Sequence, residues 1–147
     1  MGVRGIDTAD IVFDNVKVGP ENVIGGSFSL AMQSLNAMRP VVAARGIGLA
    51  EGALMYAVEY AKNRPAFNQT IAEFQGIQLE IAKCATEIEA ARLLTIKACW
   101  MADNKMPNSK EASIAKAKAG RIGSEITLKC VELAASVGYG EDELLEK

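Results

Sequence analysis

The chain has 147 residues, half of them hydrophobic and 23% charged, a balance that supports one packed domain and excludes a disordered chain. A formal net charge of -2 and only 5% aromatic residues leave neither a basic surface nor a stacking platform for nucleic acid. Histidine is absent, which removes Ser-His and Cys-His nucleophile systems and the Glu-x-x-His pairs of di-iron helical bundles.

Residues 1–10 contain no apolar core of the kind a secretory leader needs. No apolar run is expected to reach the length of a membrane span, so a soluble cytoplasmic or matrix location is the default. Cys84, Cys99 and Cys130 are far apart and form no CxxC pair, as expected of reduced thiols placed mainly in a core.

In chain order, the stretch from Val3 to Val18 alternates around Ile11, Phe13, Val16 and Val18, which predicts two short strands with a bend near Asp14-Asn15. Two strands without partners are not stable alone, so they read as the tail of a larger sheet. Gly19-Pro20 and Gly25-Gly26 then punctuate the chain, and Ser27 or Ser29 can cap a helix. That first helix is expected over residues 29–62, with a kink near Arg39-Pro40, and Arg64-Pro65 ends it. A second helix, over residues 73–103, carries a seam of Ile77, Ile81, Cys84, Ile88, Ala91, Thr95 and Ala98 at spacings of three and four. The short connection through Pro107 makes the third helix its antiparallel neighbour. Ser109 is read as that helix's cap, Ala135 as its end, and Ile114, Ala117, Ile122, Ile126 and Val131 as its buried side. Gly138-Tyr139-Gly140 breaks the helix, and residues 142–147 begin another.

Several segments, taken in order, resemble one family. Residues 1–18 are similar to the last two strands of the middle β-domain of acyl-CoA dehydrogenases. Residues 38–44 resemble the first C-terminal helix of those enzymes, and residues 60–75 their loop of the form E-R-x-x-F-G-x-x-I-x-x-x-Q. Residues 89–94 and 112–116 match the second and third helices. The resemblance implies a mainly α antiparallel bundle preceded by two short β segments. Residues 1–26 are then a remnant of the β-domain with its linker, and residues 27–147 the C-terminal bundle without its last helix. It also implies FAD, an acyl-CoA substrate oxidised to a trans-2-enoyl-CoA, an electron-transfer flavoprotein or similar acceptor, and a dimer or tetramer.

Residue by residue, Arg64 matches the arginine that reaches the FAD pyrophosphate, where a permanently charged fork suits phosphate. Phe67 matches the phenylalanine beside the flavin, or is an apolar anchor for its loop. Gln75 matches a cofactor-contacting glutamine, and Arg39 an arginine at the substrate end of the first helix or in a structural ion pair. Gly138 shapes the turn near the adenine, or serves only as a helix terminator. Departures are equally specific. Asn68 replaces a glycine, Glu132 a cofactor-holding glutamine, and Ala135-Ser136 a glycine pair. The family's catalytic glutamate lies beyond Lys147, and the alternative position on the first helix is Met38. Two readings follow: a piece of an FAD-dependent dehydrogenase that is inactive alone, or a non-catalytic helical interaction module that has lost the flavin site.

Overall fold

A computed structural model describes residues 6–25, 27–140 and 145. Three long helices form the fold: α1 (Phe28–Asn63), α2 (Gln75–Asp103) and α3 (Ser109–Ala134). Between α1 and α2 a hairpin pairs β1 (Pro65–Ala66) with β2 (Gln69–Thr70), Pro65 opposite Thr70 and Ala66 opposite Gln69. Single 3-10 turns occupy Pro20–Asn22, Ile71–Glu73 and Ala135–Val137.

The three helices match the expected spans, and the fold is helical with two short β segments. The place of those segments differs from the expectation. No strand forms within residues 6–25, where Ile11, Val12, Phe13 and Val16 are exposed. A strand needs a neighbour to receive its N–H and C=O groups, and none of the described residues supplies one there. Asn15 does take a positive φ of 51°, at the expected bend. Residues 1–5, Gly26 and, apart from Leu145, the helical start at residues 142–147 lie outside the described residues.

Helix ends follow local chemistry. Ser27 is the N-cap of α1, its hydroxyl 2.7 Å from that of Ser29 rather than on the helix backbone. Pro40 sits within α1, which continues through it. Asn108, not Ser109, is the N-cap of α3, and its side-chain amide donates to the Ala98 carbonyl at 2.9 Å, tying the α2–α3 turn to the end of α2.

Cross-links between helices give the directions. Arg92 meets Glu51 at 2.8 Å beyond the short hairpin that joins α1 to α2, and Asn108 reaches Ala98 while Lys118 pairs with Glu87, so α2 runs against both α1 and α3. Asn36 lies beside Ser109, and Gly46 beside Ala119, so α1 and α3 run parallel. The α1–α3 contact is the most extensive of the three. Small residues allow it: Ala43, Ala50 and Ala57 on α1 and Ala112, Ala115 and Ala119 on α3 are all buried. A Cβ placed on Gly46 would sit 2.9 Å from the Ala119 carbonyl oxygen.

The α2 seam is packed as its spacing predicts, with Cys84, Ile88, Ala91, Thr95 and Ala98 buried and Ile77 and Ile81 half-buried. The Thr95 hydroxyl donates to the Ala91 carbonyl at 2.9 Å, so no buried polar demand is left open there. Burial pushes the Cys130 thiol up to about 12 and raises that of Cys84, as inert core thiols should behave. On α3 the expectation fails in part. Ile114 and Ala117 are exposed, and the buried row is Ala112, Ala115, Ala119, Ile122, Ile126, Cys130 and Leu133. The first half of α3 buries only alanines, and at Ala119 its backbone lies against Gly46 of α1.

α1 is long and apolar enough, by length and composition, to cross a membrane, which corrects the expectation that no such run exists. In the fold its Ile47, Ala50, Leu54, Ala57 and Ala61 lie in the core of the bundle. Away from that buried row it exposes Leu35, Met38, Val42, Leu49 and Met55.

Gly46→Val should destabilise the bundle by about 1–3 kcal/mol, because backbone–backbone overpacking exceeds any gain in helix propensity. Urea unfolding checks this; an unchanged midpoint would contradict so close a contact.

Candidate functional site

Because α1 and α3 run parallel, their C-terminal ends finish side by side, and α2 starts beside them. The α1–α2 hairpin closes one side. Between these parts lies an open cleft of about 500 Å³. Tyr60 and Arg64, one turn apart, bring α1 to it. The hairpin contributes Ala66 and Phe67, and the following turn Ile71 and Phe74. Gly76 and Ile77 come from α2, and Leu133, Ala135 and Ser136 from the end of α3.

Short-range bonds hold the hairpin in place. The Arg64 N–H donates to the Tyr60 carbonyl, and the Ile71 N–H to the Arg64 carbonyl, both at 2.9 Å. The Thr70 N–H and hydroxyl both donate to Glu73 Oε1, at 2.9 and 3.0 Å, the reach-back half of a capping box. At the tip, Phe67 and Asn68 both have positive φ, 51° and 65°, the pattern of a type I′ turn. The resemblance expects glycine at 68. Asparagine is the side chain best able to replace it, because it tolerates the left-handed region. Phe67 has no such tolerance, and its ring is 91% exposed. Its one ring contact is edge-to-face with Phe74, centroids 6.4 Å apart at 89°.

Among the described residues, Arg64 is the only charged one lining the cleft. Among the described residues, no carboxylate lies within ion-pair distance of it. Glu132, one turn before Ser136, pairs instead with Lys129, and that hydrogen bond holds the Lys129 ammonium above its ordinary value. The carboxylate is thus drawn back along α3 and does not line the cleft. Gly76 leaves the wall open: a Cβ there would meet nothing within 4 Å.

The structure brings Arg64, Phe67 and Ser136 together around the cleft. Gln75 is exposed between two lining residues but is not itself one. Gly138 is buried behind the end of α3; a Cβ there would lie 2.7 Å from the Val131 carbonyl oxygen, so space rather than backbone angle requires glycine. Arg39 is elsewhere. It is about 37 Å from Arg64 along α1 at the usual helical rise, and its guanidinium donates to the Asn36 side chain. Tyr60, Phe74 and Gly76 escaped the sequence reading. The i, i+4 spacing of Tyr60 from Arg64 was the available signal for the first of them.

Ala135 caps α3 with φ 52° and ψ -135°, a region glycine occupies and alanine avoids. An alanine held at this position, where the resemblance expects a glycine, therefore stores strain at the cleft. Ala135→Gly should stabilise the chain by about 1 kcal/mol, which thermal unfolding checks. A lower midpoint would show the conformation to be unstrained.

A model of the acyl-CoA dehydrogenase C-terminal domain matches residues 25–147. CarC of the caffeyl-CoA reductase–Etf complex from Acetobacterium woodii is 43% identical over 100% of this chain and 40% of its own length. The mitochondrial short/branched chain specific acyl-CoA dehydrogenase of Rattus norvegicus is 41% identical, over 100% of this chain and 35% of its own. Butyryl-CoA dehydrogenase of Megasphaera elsdenii superposes with a TM-score of 0.88 at 37% identity, covering 92% of this chain and 36% of that one. The chain therefore spans well under half the length of these relatives. It belongs to the acyl-CoA dehydrogenase family, with the fold of that family's C-terminal helical domain.

Proposed function

We propose that the chain supplies one edge of an FAD site and an oligomer interface to a dehydrogenase that converts an acyl-CoA thioester to a trans-2-enoyl-CoA. The observation that carries this reading is the Arg64 guanidinium, without a carboxylate partner among the described residues, in an otherwise uncharged cleft. That donor set suits the cofactor. A permanently charged fork matches a pyrophosphate, the Ser136 hydroxyl adds a hydrogen-bonding group, and Phe67 offers a flat apolar surface. The open space at Gly76 is room that any side chain would reduce. A carboxylate at 132 facing the cleft would repel phosphate, but Glu132 pairs with Lys129 instead. Bound FAD supplies the hydride-accepting chemistry; the residues of this chain orient it and neutralise its charge.

Gln75 and Gly138 take supporting places at the rim and behind α3. Arg39, remote from the cleft, is assigned to the substrate side. With no counterpart of the family's catalytic glutamate in residues 1–147, the chain alone should not turn over acyl-CoA. The Etf complex named for the A. woodii relative supports an electron-transfer flavoprotein as acceptor. The exposed apolar residues of α1, Leu35, Met38, Val42 and Leu49 among them, support self-association, because large apolar patches on soluble chains usually find partners.

Titrating the 147-residue chain with FAD, followed by flavin fluorescence, tests the reading. Saturable binding is expected, and Arg64→Ala should weaken it by about tenfold or more, the scale of a lost charged hydrogen bond. Gly76→Leu should abolish binding with no loss of thermal stability, since helix propensity improves while the cleft fills. Absence of binding by the unaltered chain would leave the non-catalytic interaction module as the reading. Sedimentation of the same samples should show a dimer or larger species, and a single monomer species would remove the interface assignment.

A further inference from the structure

Phe67 breaks two local preferences at once. A phenylalanine occupies a left-handed backbone position, at φ 51°, and leaves its ring 91% exposed at the cleft mouth. Folding alone rewards neither, and strained, exposed aromatics in clefts mark places where a ring is held for use. The ring has one aromatic contact among the described residues. Its edge-to-face partner Phe74 is half-buried, follows the Ile71–Glu73 turn, and has its own N–H bonded to the Ile71 carbonyl at 3.3 Å. That turn is anchored in its turn by the Thr70–Glu73 bonds.

We infer that Phe74 is a positioning residue: it fixes the Phe67 ring in advance, so that the cleft mouth is a preset platform for a planar heteroaromatic ligand. The platform needs both devices. The positive-φ pair at 67–68 aims the side chain outward, and Phe74 fixes the rotation of the ring, leaving a face open. Edge-to-face packing suits this purpose, because it engages one partner's edge and spares a π-face for stacking. A preset ring loses less rotamer entropy when a ligand arrives. The identity of that ligand as a flavin rests on the function proposed above; the positioning of Phe67 by Phe74 does not.

The test therefore has two arms. In the chain labelled with 4-fluorophenylalanine, the Phe67 fluorine resonance should be displaced from the free amino acid by the Phe74 ring current. Phe74→Leu should return it towards the free position, and Phe74→Tyr should keep it displaced. A Phe67 resonance indifferent to Phe74→Leu overturns the inference, whether or not flavin binds. In the FAD titration, Phe74→Leu should weaken affinity by about fivefold, with Phe74→Tyr restoring it. Equal affinity for Phe74→Leu and the unaltered chain also overturns the inference. Lack of flavin binding by the unaltered chain overturns only the flavin reading, and the fluorine arm then decides alone. A Phe67 resonance that moves on dilution instead makes Phe67 an anchor for a second copy and overturns the platform.

Discussion

Everything at the functional end depends on how closely α1 and α3 can approach. At Gly46 there is no room for a methyl group, because the Ala119 carbonyl oxygen already occupies the space. Gly123 on α3 faces the Gly46 backbone in return, a Cβ there lying 3.4 Å from the Gly46 oxygen. With two helices in backbone contact, their parallel setting is fixed along much of their length. Their last turns must then end together, and the cleft is the gap those ends leave. Larger residues at this crossing would separate Tyr60 and Arg64 from Leu133 and Ser136.

Alanine and glycine carry this contact at little hydrophobic gain per residue, so the larger burial terms lie elsewhere. Ile122, fully buried, contributes roughly 1.5–3 kcal/mol on its own. The α2 seam adds Ile88 and the half-buried Ile77 and Ile81. The bundle thus divides its tasks. One helix pair sets distance through small residues, while α2 and the second half of α3 supply the apolar surface.

The same division explains what could be read in advance. The α2 seam was legible because its isoleucines recur at helical spacing. The first half of α3 is less legible, because its many alanines do not show which of them are buried, and Ala112, Ala115 and Ala119 are while Ala117 and Ile114 are not. Strand propensity near Ile11 and Phe13 was visible, but pairing depends on partners that the described residues lack. At the cleft, Arg64, Phe67 and Ser136 were legible through family likeness. Tyr60, Phe74 and Gly76 were not, because a tyrosine, a phenylalanine and a glycine acquire a role only when tertiary packing makes them converge. The departures at 68 and 135 looked alike in the sequence, yet their backbones separate them. Asparagine suits a left-handed turn, and alanine does not suit the end of α3.

Most of the cleft wall is local in sequence, running from Tyr60 to Ile77, while Leu133, Ala135 and Ser136 arrive from more than fifty residues downstream. Hairpin and helix start can form quickly, since they require only short loop closures. The last wall closes only when α3 docks. A ligand that touches both Arg64 and Ser136 would bridge the earliest and latest parts of the chain to fold. By mass action it would stabilise the docked state as ligand concentration rises above the dissociation constant. For such a ligand, its supply and the population of the folded bundle would be a single coupled quantity.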